Sequence, residues 1–171
     1  MGDSALRVAL ADLVEYCTGY CAFRDDLKVQ GVAVRSLGQC TTTIDTRKNL
    51  RIGIHLDSWD RLPVSKRGAA RNRLNVNLGY GSRYFLFATR SIMEIAEQAS
   101  SGSELREHPT GLAREWLRIN PDEPIYSVTV RPGEAYIAPT EALPHDSSTA
   151  GKVHMDISLT ILGHFNGELS Q

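Results

Sequence analysis

The sequence predicts a mainly β fold, a barrel around a polar pocket, with an N-terminal helix and two helices inserted between strands. Several segments alternate apolar and polar residues with the period of two that strands require. Two segments in the second half of the chain have helical spacing instead. A sandwich with solvated outer faces also explains the alternation, but such faces would carry Lys, Glu and Thr. Two of the polar faces here carry His and Asp, which favours the barrel.

Length and charge narrow the class of protein. The chain has 171 residues, 42% of them hydrophobic, and a formal net charge of -1. This length predicts one domain over residues 1–171, large enough to bury a core. The near-zero charge argues against a nucleic-acid or anionic-membrane partner, because such binding depends on a surplus of Lys and Arg. Arginine outnumbers lysine, and its planar guanidinium suits a small acidic ligand.

Neither a signal peptide nor an apolar run long enough to cross a bilayer is expected, so the sequence predicts a cytoplasmic protein. The chain has three cysteines, Cys17, Cys21 and Cys40. Their number is odd, and apart from the close spacing of Cys17 and Cys21 there is no second CxxC-like pair. We therefore expect neither a disulfide framework nor a cysteine-rich zinc site. Cys17 and Cys21 are interpreted as small buried hydrophobic residues.

The predicted elements follow one another with few interruptions. The first half holds a helix at residues 4–16, two paired strands at 27–34 and 39–44, a strand within 51–60, and a basic loop at 61–70. The second half holds strands at 73–78 and 83–88, helices at 91–99 and 111–119, and strands at 125–130, 135–139 and 153–163. Residues 147–151 are expected to form a loop before the last strand.

The polar faces of three strands carry the candidate site residues. The strand within 51–60 directs Arg51, Gly53, His55 and Asp57 to one face and Ile52, Ile54 and Leu56 to the other. The later polar faces carry Arg73, Asn75 and Asn77, and then His154, Asp156, Ser158 and Thr160. His55 and Asp57 are two residues apart, so both side chains point the same way and could converge on one metal ion.

These residues resemble the double-stranded β-helix (jelly-roll) of the cupins and, more closely, of the iron(II)/2-oxoglutarate oxygenases. His55-Leu56-Asp57 matches the early His-x-Asp of that family, and His145 follows a Pro-Gly turn, strand and Pro at 131–139 similar to the run before the distal His. Residues 78–87, which include Arg83, look like the glycine turn, basic residue and apolar strand of the JmjC-like branch. The resemblance implies iron(II) held by His55, Asp57 and His145, with His154 as the rival third ligand. It also implies dioxygen and a small polar substrate such as an amino acid.

The resemblance also implies 2-oxoglutarate, but the expected basic anchor for this co-substrate is missing. His154, Met155 and Asp156 stand where most of these enzymes have an Arg, and Asn77 and Leu78 stand where the JmjC-like branch has a basic residue. Arg73, on the same predicted face as Asn75, is the best substitute because an Arg facing a polar lumen needs an anionic partner. Arg51 is the second choice, and Asn75 is a further candidate for binding the co-substrate.

Two other functions fit the same pattern. One is a cupin-like metalloenzyme without 2-oxoglutarate, such as an isomerase, an epimerase or a substrate-only dioxygenase. The other is a non-catalytic barrel that binds a small anion through Arg51 and Arg73. Further residues have secondary roles in these hypotheses: Trp59 and Tyr80 at the pocket mouth or in packing, residues 140–141 and 146–148 as substrate contacts, and His108 and His164 in solvent.

Overall fold

The computed structural model describes residues 2–23, 26–45, 48–99 and 108–165, with side chains from residue 7 onward. The fold is mainly β, with antiparallel sheets and a few helices. The helices are α1 (Gly2–Thr18), α2 (Ile92–Gln98), α3 (Pro109–Ile119) and a 3-10 helix (Val64–Ala69). The strands are β1 (Lys28–Arg35), β2 (Ile44–Asp45), β3 (Leu50–Arg51), β4 (Asn72–Asn77), β5 (Arg83–Phe87), β6 (Tyr126–Val130), β7 (Ala135–Ala138), β8 (His145–Ser148) and β9 (Asp156–Gly163).

The strands form two main antiparallel sheets and a short hairpin. The first sheet has the order β1-β9-β4-β7, the second has the order β6-β5-β8, and β2 pairs with β3. Most neighbours within a sheet are therefore distant in sequence, and the chain passes repeatedly from one sheet to the other. An isolated bridge between His55 and His145 attaches the segment after β3 to the free edge of β8. Among the described residues, the strand hydrogen bonds form these separate sheets and not a closed barrel.

Helix α1 covers one face of the first sheet. Leu10, Leu13 and Val14 of α1 pack against a buried cluster that contains Leu74 and Ile161. Full burial of such a side chain stabilises the fold by about 1.5–3 kcal/mol. This contact is why the spacing of apolar residues at 4–16 correctly predicts a helix. No helix among the described residues combines the length and apolarity needed to cross a bilayer.

A second cluster joins the inserted helices to the candidate site. Leu56 is buried with Ile92 and Ile95 of α2 and with Leu112 and Trp116 of α3. Helix α2 begins with a capping box, in which Ser91 and Glu94 cap each other's backbone N–H groups. Since Leu56 points into this cluster, its neighbours on either side project away from the helices.

The predicted elements at residues 4–16, 27–34, 73–78, 83–88, 91–99, 111–119, 125–130 and 135–139 are confirmed. The predicted pairing of 27–34 with 39–44 is wrong, because β1 pairs with β9 and only Ile44–Asp45 of the second segment is a strand. Gln39 N–H instead donates to Thr149 Oγ1 at 3.0 Å, and Thr43 Oγ1 donates to Asp146 Oδ1 at 2.9 Å. These polar contacts tie residues 36–43 to β8 and the residues that follow it.

Three further predictions about strands are corrected. Segment 51–60 is not a regular strand, because β3 ends at Arg51 and Gly53 has a φ of +66°, which breaks the alternation. Residues 147–148, predicted as a loop, belong to β8, which pairs with β5. The last strand begins at Asp156, so Val153 and Met155 are exposed and do not extend its apolar face. Cys17 and Cys21 are free and buried, as predicted.

Candidate metal centre

His55, Asp57 and His145 form a compact group that could hold a metal ion. One ligand atom from each residue lies within 4.8 Å of the other two. The Nε2 of His55 is 3.7 Å from Asp57 Oδ1, and the Nε2 of His145 is 3.7 Å from Asp57 Oδ2. The carboxylate therefore faces both imidazoles, and two nitrogen donors and one oxygen donor point toward a common volume.

Backbone hydrogen bonds bring these three residues together from two segments that are about 90 residues apart in sequence. His55 N–H donates to His145 O at 3.0 Å, and His145 N–H donates to His55 O at 2.8 Å. Asp57 N–H donates to Thr140 O at 3.0 Å. Leu56 lies between the two early ligands and is fixed in the helix cluster, so His55 and Asp57 share the opposite side.

The hydrogen bonds of the two rings orient their other nitrogens for metal binding. Nδ1 of His55 is 3.0 Å from Gly53 O, and Nδ1 of His145 is 3.0 Å from Leu143 O. A carbonyl oxygen only accepts, which assigns the proton to Nδ1 in both rings and leaves a lone pair on each Nε2. Metal-binding histidines are held in the same way by a carbonyl behind the ring.

The strongest sign that a cation fits is an unsatisfied nitrogen. His145 is fully buried, and its Nε2 has no hydrogen-bond partner among the described residues. A buried polar atom left without a partner costs about 1–3 kcal/mol. Two lone pairs directed at a carboxylate also repel it, and a divalent cation between them would remove both penalties. The donor set of two imidazoles and a carboxylate suits a transition metal such as Fe(II).

The protonation states also suit a metal. Burial lowers the pKa of His145 to about 3, despite the opposing charge of Asp57. Its imidazole is therefore neutral near pH 7, which is the form that binds metals. Burial by itself raises the pKa of Asp57, but the adjacent guanidinium of Arg73 holds this pKa well below its usual range. Asp57 is therefore ionised.

Arg73 contacts the candidate metal ligand directly. Its Nη1 donates to Asp57 Oδ2 at 2.9 Å, and its Nη2 is 3.5 Å from the Tyr136 hydroxyl. The sequence proposed Arg73 as the anchor of a co-substrate carboxylate. In the structure its anionic partner is Asp57, so Arg73 orients and neutralises this carboxylate.

Arg67, which the sequence assigned only to a basic loop, donates hydrogen bonds to the backbone of the His-x-Asp segment. Its side chain is 3% exposed, and Nη1 donates to Asp57 O at 2.7 Å and Glu141 O at 3.1 Å. Its Nη2 donates to Ser58 Oγ at 2.9 Å. Arg67 therefore links the backbone of the His-x-Asp segment to the loop before His145. The sequence contained no signal for this role, because the contacts are with backbone oxygens.

Arg83 is a second buried arginine, and the sequence did not predict it as a residue of the candidate site. It donates to Asn75 Oδ1 and, at 2.9 Å, to Ser147 Oγ, and its Nε is 3.5 Å from Asp156 Oδ1. The residue is 4% exposed. The predicted strand at 83–88 places Arg83 and Phe85 on one face, because residues two apart on a strand share a face. In the structure the ring of Phe85 lies 5.8 Å from the ring of His145.

The other predicted cofactor-binding residues have different positions. Arg51 is exposed and donates to Thr41 O at 2.7 Å, so it makes no contact with the metal ligands. Asn75 is buried and donates to Thr160 Oγ1 at 2.9 Å while accepting from Arg83. Arg51 and Arg73 thus have separate partners.

The remaining histidines do not join the candidate metal centre. His154, the rival third ligand, is exposed, its ring lies 6.4 Å from that of Tyr80, and it does not belong to the group formed by His55, Asp57 and His145. His108 is exposed, as predicted. His164 was also expected in solvent, but its side chain is 37% exposed and is bonded to Asp26 and to Ala69 O.

Several predicted substrate contacts instead stabilise the fold. Thr140, Glu141, Asp146, Ser147 and Ser148 are all buried. Glu141 Oε1 accepts from Asp60 N–H at 2.6 Å, and Asp146 Oδ1 accepts from Ser147 N–H at 2.7 Å. Trp59 and Tyr80 are 47% and 86% exposed.

Comparison of the chain with family models, curated proteins and solved structures found no match. The geometry of His55, Asp57 and His145 is therefore the observation from which a function can be proposed.

Proposed function

We propose that this protein is a non-haem iron(II) oxygenase that oxidises a small polar substrate such as an amino acid, with 2-oxoglutarate as co-substrate. The observation that carries the proposal is the set of two imidazoles and one carboxylate with ligand atoms within 4.8 Å of each other. This combination binds Fe(II) through one face and leaves positions open for other ligands. Bound iron would supply the dioxygen chemistry.

The finer fold that we propose is the double-stranded β-helix. The sheet orders β1-β9-β4-β7 and β6-β5-β8 support it, because the chain alternates between the two sheets. The bridge between His55 and His145 would add the His-x-Asp segment beside β8 as a fourth strand of the second sheet. Both sets of ligands would then lie on adjacent strands at one end of the fold.

The residues around the ligands have defined tasks in this proposal. Gly53 O and Leu143 O hold the proton on Nδ1 of each imidazole and so keep Nε2 available. Exposure is 6% at His55, 9% at Asp57 and 0% at His145, so we propose that substrate approaches from the side of the first two ligands.

Arg83 is the residue that we propose for the far carboxylate of 2-oxoglutarate. Its terminal nitrogens donate to the neutral partners Asn75 and Ser147, whereas Nη1 of Arg73 is already paired with Asp57. A carboxylate that replaced these neutral partners would form a two-pronged, charge-assisted contact. Asn75 would remain beside the co-substrate, as the sequence predicted.

A metalloenzyme that does not use 2-oxoglutarate is the second candidate, and one contact favours it. Nε of Arg83 lies 3.5 Å from Asp156 Oδ1, and the same oxygen accepts from Lys152 Nζ at 2.8 Å. If Asp156 retains Arg83 as its partner, this arginine has no need of a ligand carboxylate. Either enzyme would suit the cytoplasm, because the described cysteines are free and such thiols persist in a reducing compartment.

Anaerobic reconstitution with ferrous iron tests the metal centre. Wild-type protein is expected to retain about one iron per chain after removal of unbound metal. His145→Gln should lose the iron, because it replaces one of three donors, and His154→Gln should retain it as a matched control. Equal iron retention in wild type and His145→Gln, measured by elemental analysis, would refute the proposal.

Addition of 2-oxoglutarate to the iron-loaded protein distinguishes the two candidate enzymes. A chelating 2-oxo acid gives ferrous iron a visible charge-transfer band, and we expect this band in wild type. Arg83→Gln should require more 2-oxoglutarate, by about tenfold for the loss of one charge-assisted contact. Arg131→Gln is the control, since Arg131 is 74% exposed and pairs with Glu134. Iron binding without this band, combined with oxygen uptake that does not depend on 2-oxoglutarate, would favour the second candidate.

A further inference from the structure

A pocket of about 360 Å³ lies at the surface between the end of β1 and the β2–β3 hairpin. Arg35 and Arg51 line it from opposite segments, and none of the described lining residues is acidic. None of the candidate metal ligands lines this pocket. It is therefore a separate site with a local excess of positive charge.

Arg35 is half-buried, and its side chain makes no hydrogen bond or ion pair with the residues that the structure describes. By contrast, Arg71, Arg73 and Arg83 each have a carboxylate oxygen within 4.0 Å. Removing an arginine from water is costly unless it gains an anionic partner. Arg35 is thus available to an anionic partner that the described residues do not supply.

Arg51 also keeps its charge available. Its Nη1 donates to the neutral Thr41 O at 2.7 Å, and its remaining N–H groups are uncommitted among the described residues. The carboxylates of Asp45 and Asp146 both accept hydrogen bonds from other residues. Asp45 Oδ1 accepts from Lys48 N–H at 3.3 Å, and Asp146 Oδ1 accepts from the hydroxyl of Thr43 at 2.9 Å.

The rest of the lining defines the kind of anion. Ser36 and Asn49 also line the pocket, and neither side chain makes a hydrogen bond to a described residue. Val34 and Ile44 line it too and are 54% and 42% exposed, which provides an apolar wall. Arginine and amide donors beside exposed aliphatic carbon suit a molecule with an acidic head and a hydrocarbon body.

We propose that this pocket binds a small organic acid, with its carboxylate or phosphate group between Arg35 and Arg51 and its apolar body against Val34 and Ile44. The site does not require a metal, so it is independent of the proposed oxygenase activity. Thr42 and Thr43 in its wall also hold Asp146, the residue after His145. These contacts link the two sites, so a test must distinguish binding at one from effects at the other.

Titration of the metal-free full chain, followed by ¹H–¹⁵N NMR, tests the proposal. The probes are hexanoate, hexyl phosphate and, as an uncharged control, hexanol. We expect the acids to shift amide signals of the lining residues at concentrations below about 10 mM, a weak-ligand range. Tighter binding by hexanoate identifies a carboxylate ligand, and tighter binding by hexyl phosphate identifies a phosphate ligand.

Matched arginine variants decide whether the two guanidinium groups bind the acid. Arg35→Gln and Arg51→Gln should each weaken acid binding by about tenfold, the effect of one charge-assisted contact. Arg131→Gln and His145→Gln should leave it unchanged. Absence of shifts at the lining residues, or equal binding of hexanol, overturns the proposal. Unchanged affinity in the double variant at positions 35 and 51, or loss of binding in His145→Gln, overturns it as well.

Discussion

Replacement of Arg73 tests the candidate metal centre without removing a ligand. Nη1 of Arg73 lies 2.9 Å from Asp57 Oδ2, and the two side chains are 14% and 9% exposed. Removing one partner of a buried ion pair leaves an uncompensated charge and costs about 3–5 kcal/mol. Because this pair keeps some exposure, we expect about 3 kcal/mol for Arg73→Gln in the metal-free protein. For a chain of this size, Tm should fall by about 6–12 °C.

A divalent cation at the three ligands should offset most of this loss. The cation would neutralise Asp57 in place of the guanidinium, leaving a penalty of about 1 kcal/mol for the lost hydrogen bonds. The thermodynamic cycle then requires the variant to bind metal more tightly by the difference of about 2 kcal/mol. This difference corresponds to about a thirtyfold lower Kd.

Urea unfolding with chelator and with saturating Co(II) measures both quantities, and Co(II) avoids oxidation of iron during the experiment. Arg71→Gln is the matched control, because Arg71 and Asp60 form an ion pair with side chains 18% and 16% exposed, outside the ligand set. The control should be destabilised equally with and without metal. The reasoning fails if Arg73→Gln also loses the same stability in both conditions, or if its affinity for Co(II) falls.

Two further predictions concern the framework. Gly163→Ala should destabilise the fold by about 1–3 kcal/mol, because its new Cβ would lie 2.7 Å from Leu27 Cδ2. Gly81→Ala is the control and should be tolerated, because the nearest contact of its Cβ would be at 3.8 Å. Equal unfolding midpoints of the two variants in urea would contradict this prediction. A hydrogen bond to a backbone carbonyl and contact with Asp26 raise the pKa of His164. Its contribution to stability should be complete below the unfolded pKa of about 6.5 and lost as pH rises through the folded pKa. The Tm difference between wild type and His164→Gln should therefore shrink from acidic to alkaline pH, and a pH-independent difference would contradict it.

Local sequence patterns were sufficient to predict most helices and strands. Alternation with period two predicted β4, an apolar run after a glycine turn predicted β5, and helical spacing predicted α1 and α3. These patterns are informative because side-chain direction follows from backbone geometry within a few residues. The pair formed by His55 and Asp57 was predictable for the same reason, since it depends only on the direction of residues two apart.

Strand partners required the tertiary structure. β1 pairs with β9, near the other end of the described chain, although the neighbouring segment 39–44 was the expected partner. Alternation defines which face of a strand is apolar and contains no information about its neighbour. For the same reason alternation did not predict the break in segment 51–60, where Gly53 has a positive φ. The bridge to His145 then fixes the orientation of His55.

The identity of the third ligand and the partner of each arginine also depended on tertiary contacts. His145 and His154 were both acceptable in sequence, but the structure buries His145 and leaves His154 exposed. Arg73 and Arg83 both begin or nearly begin a strand, yet one contacts Asp57 and the other contacts Asn75. The sequence thus determined that His55 and Asp57 face one way, because that is a local property. Burial decided which distant histidine and arginine meet them, because a charge or lone pair removed from water must find its partner across the fold.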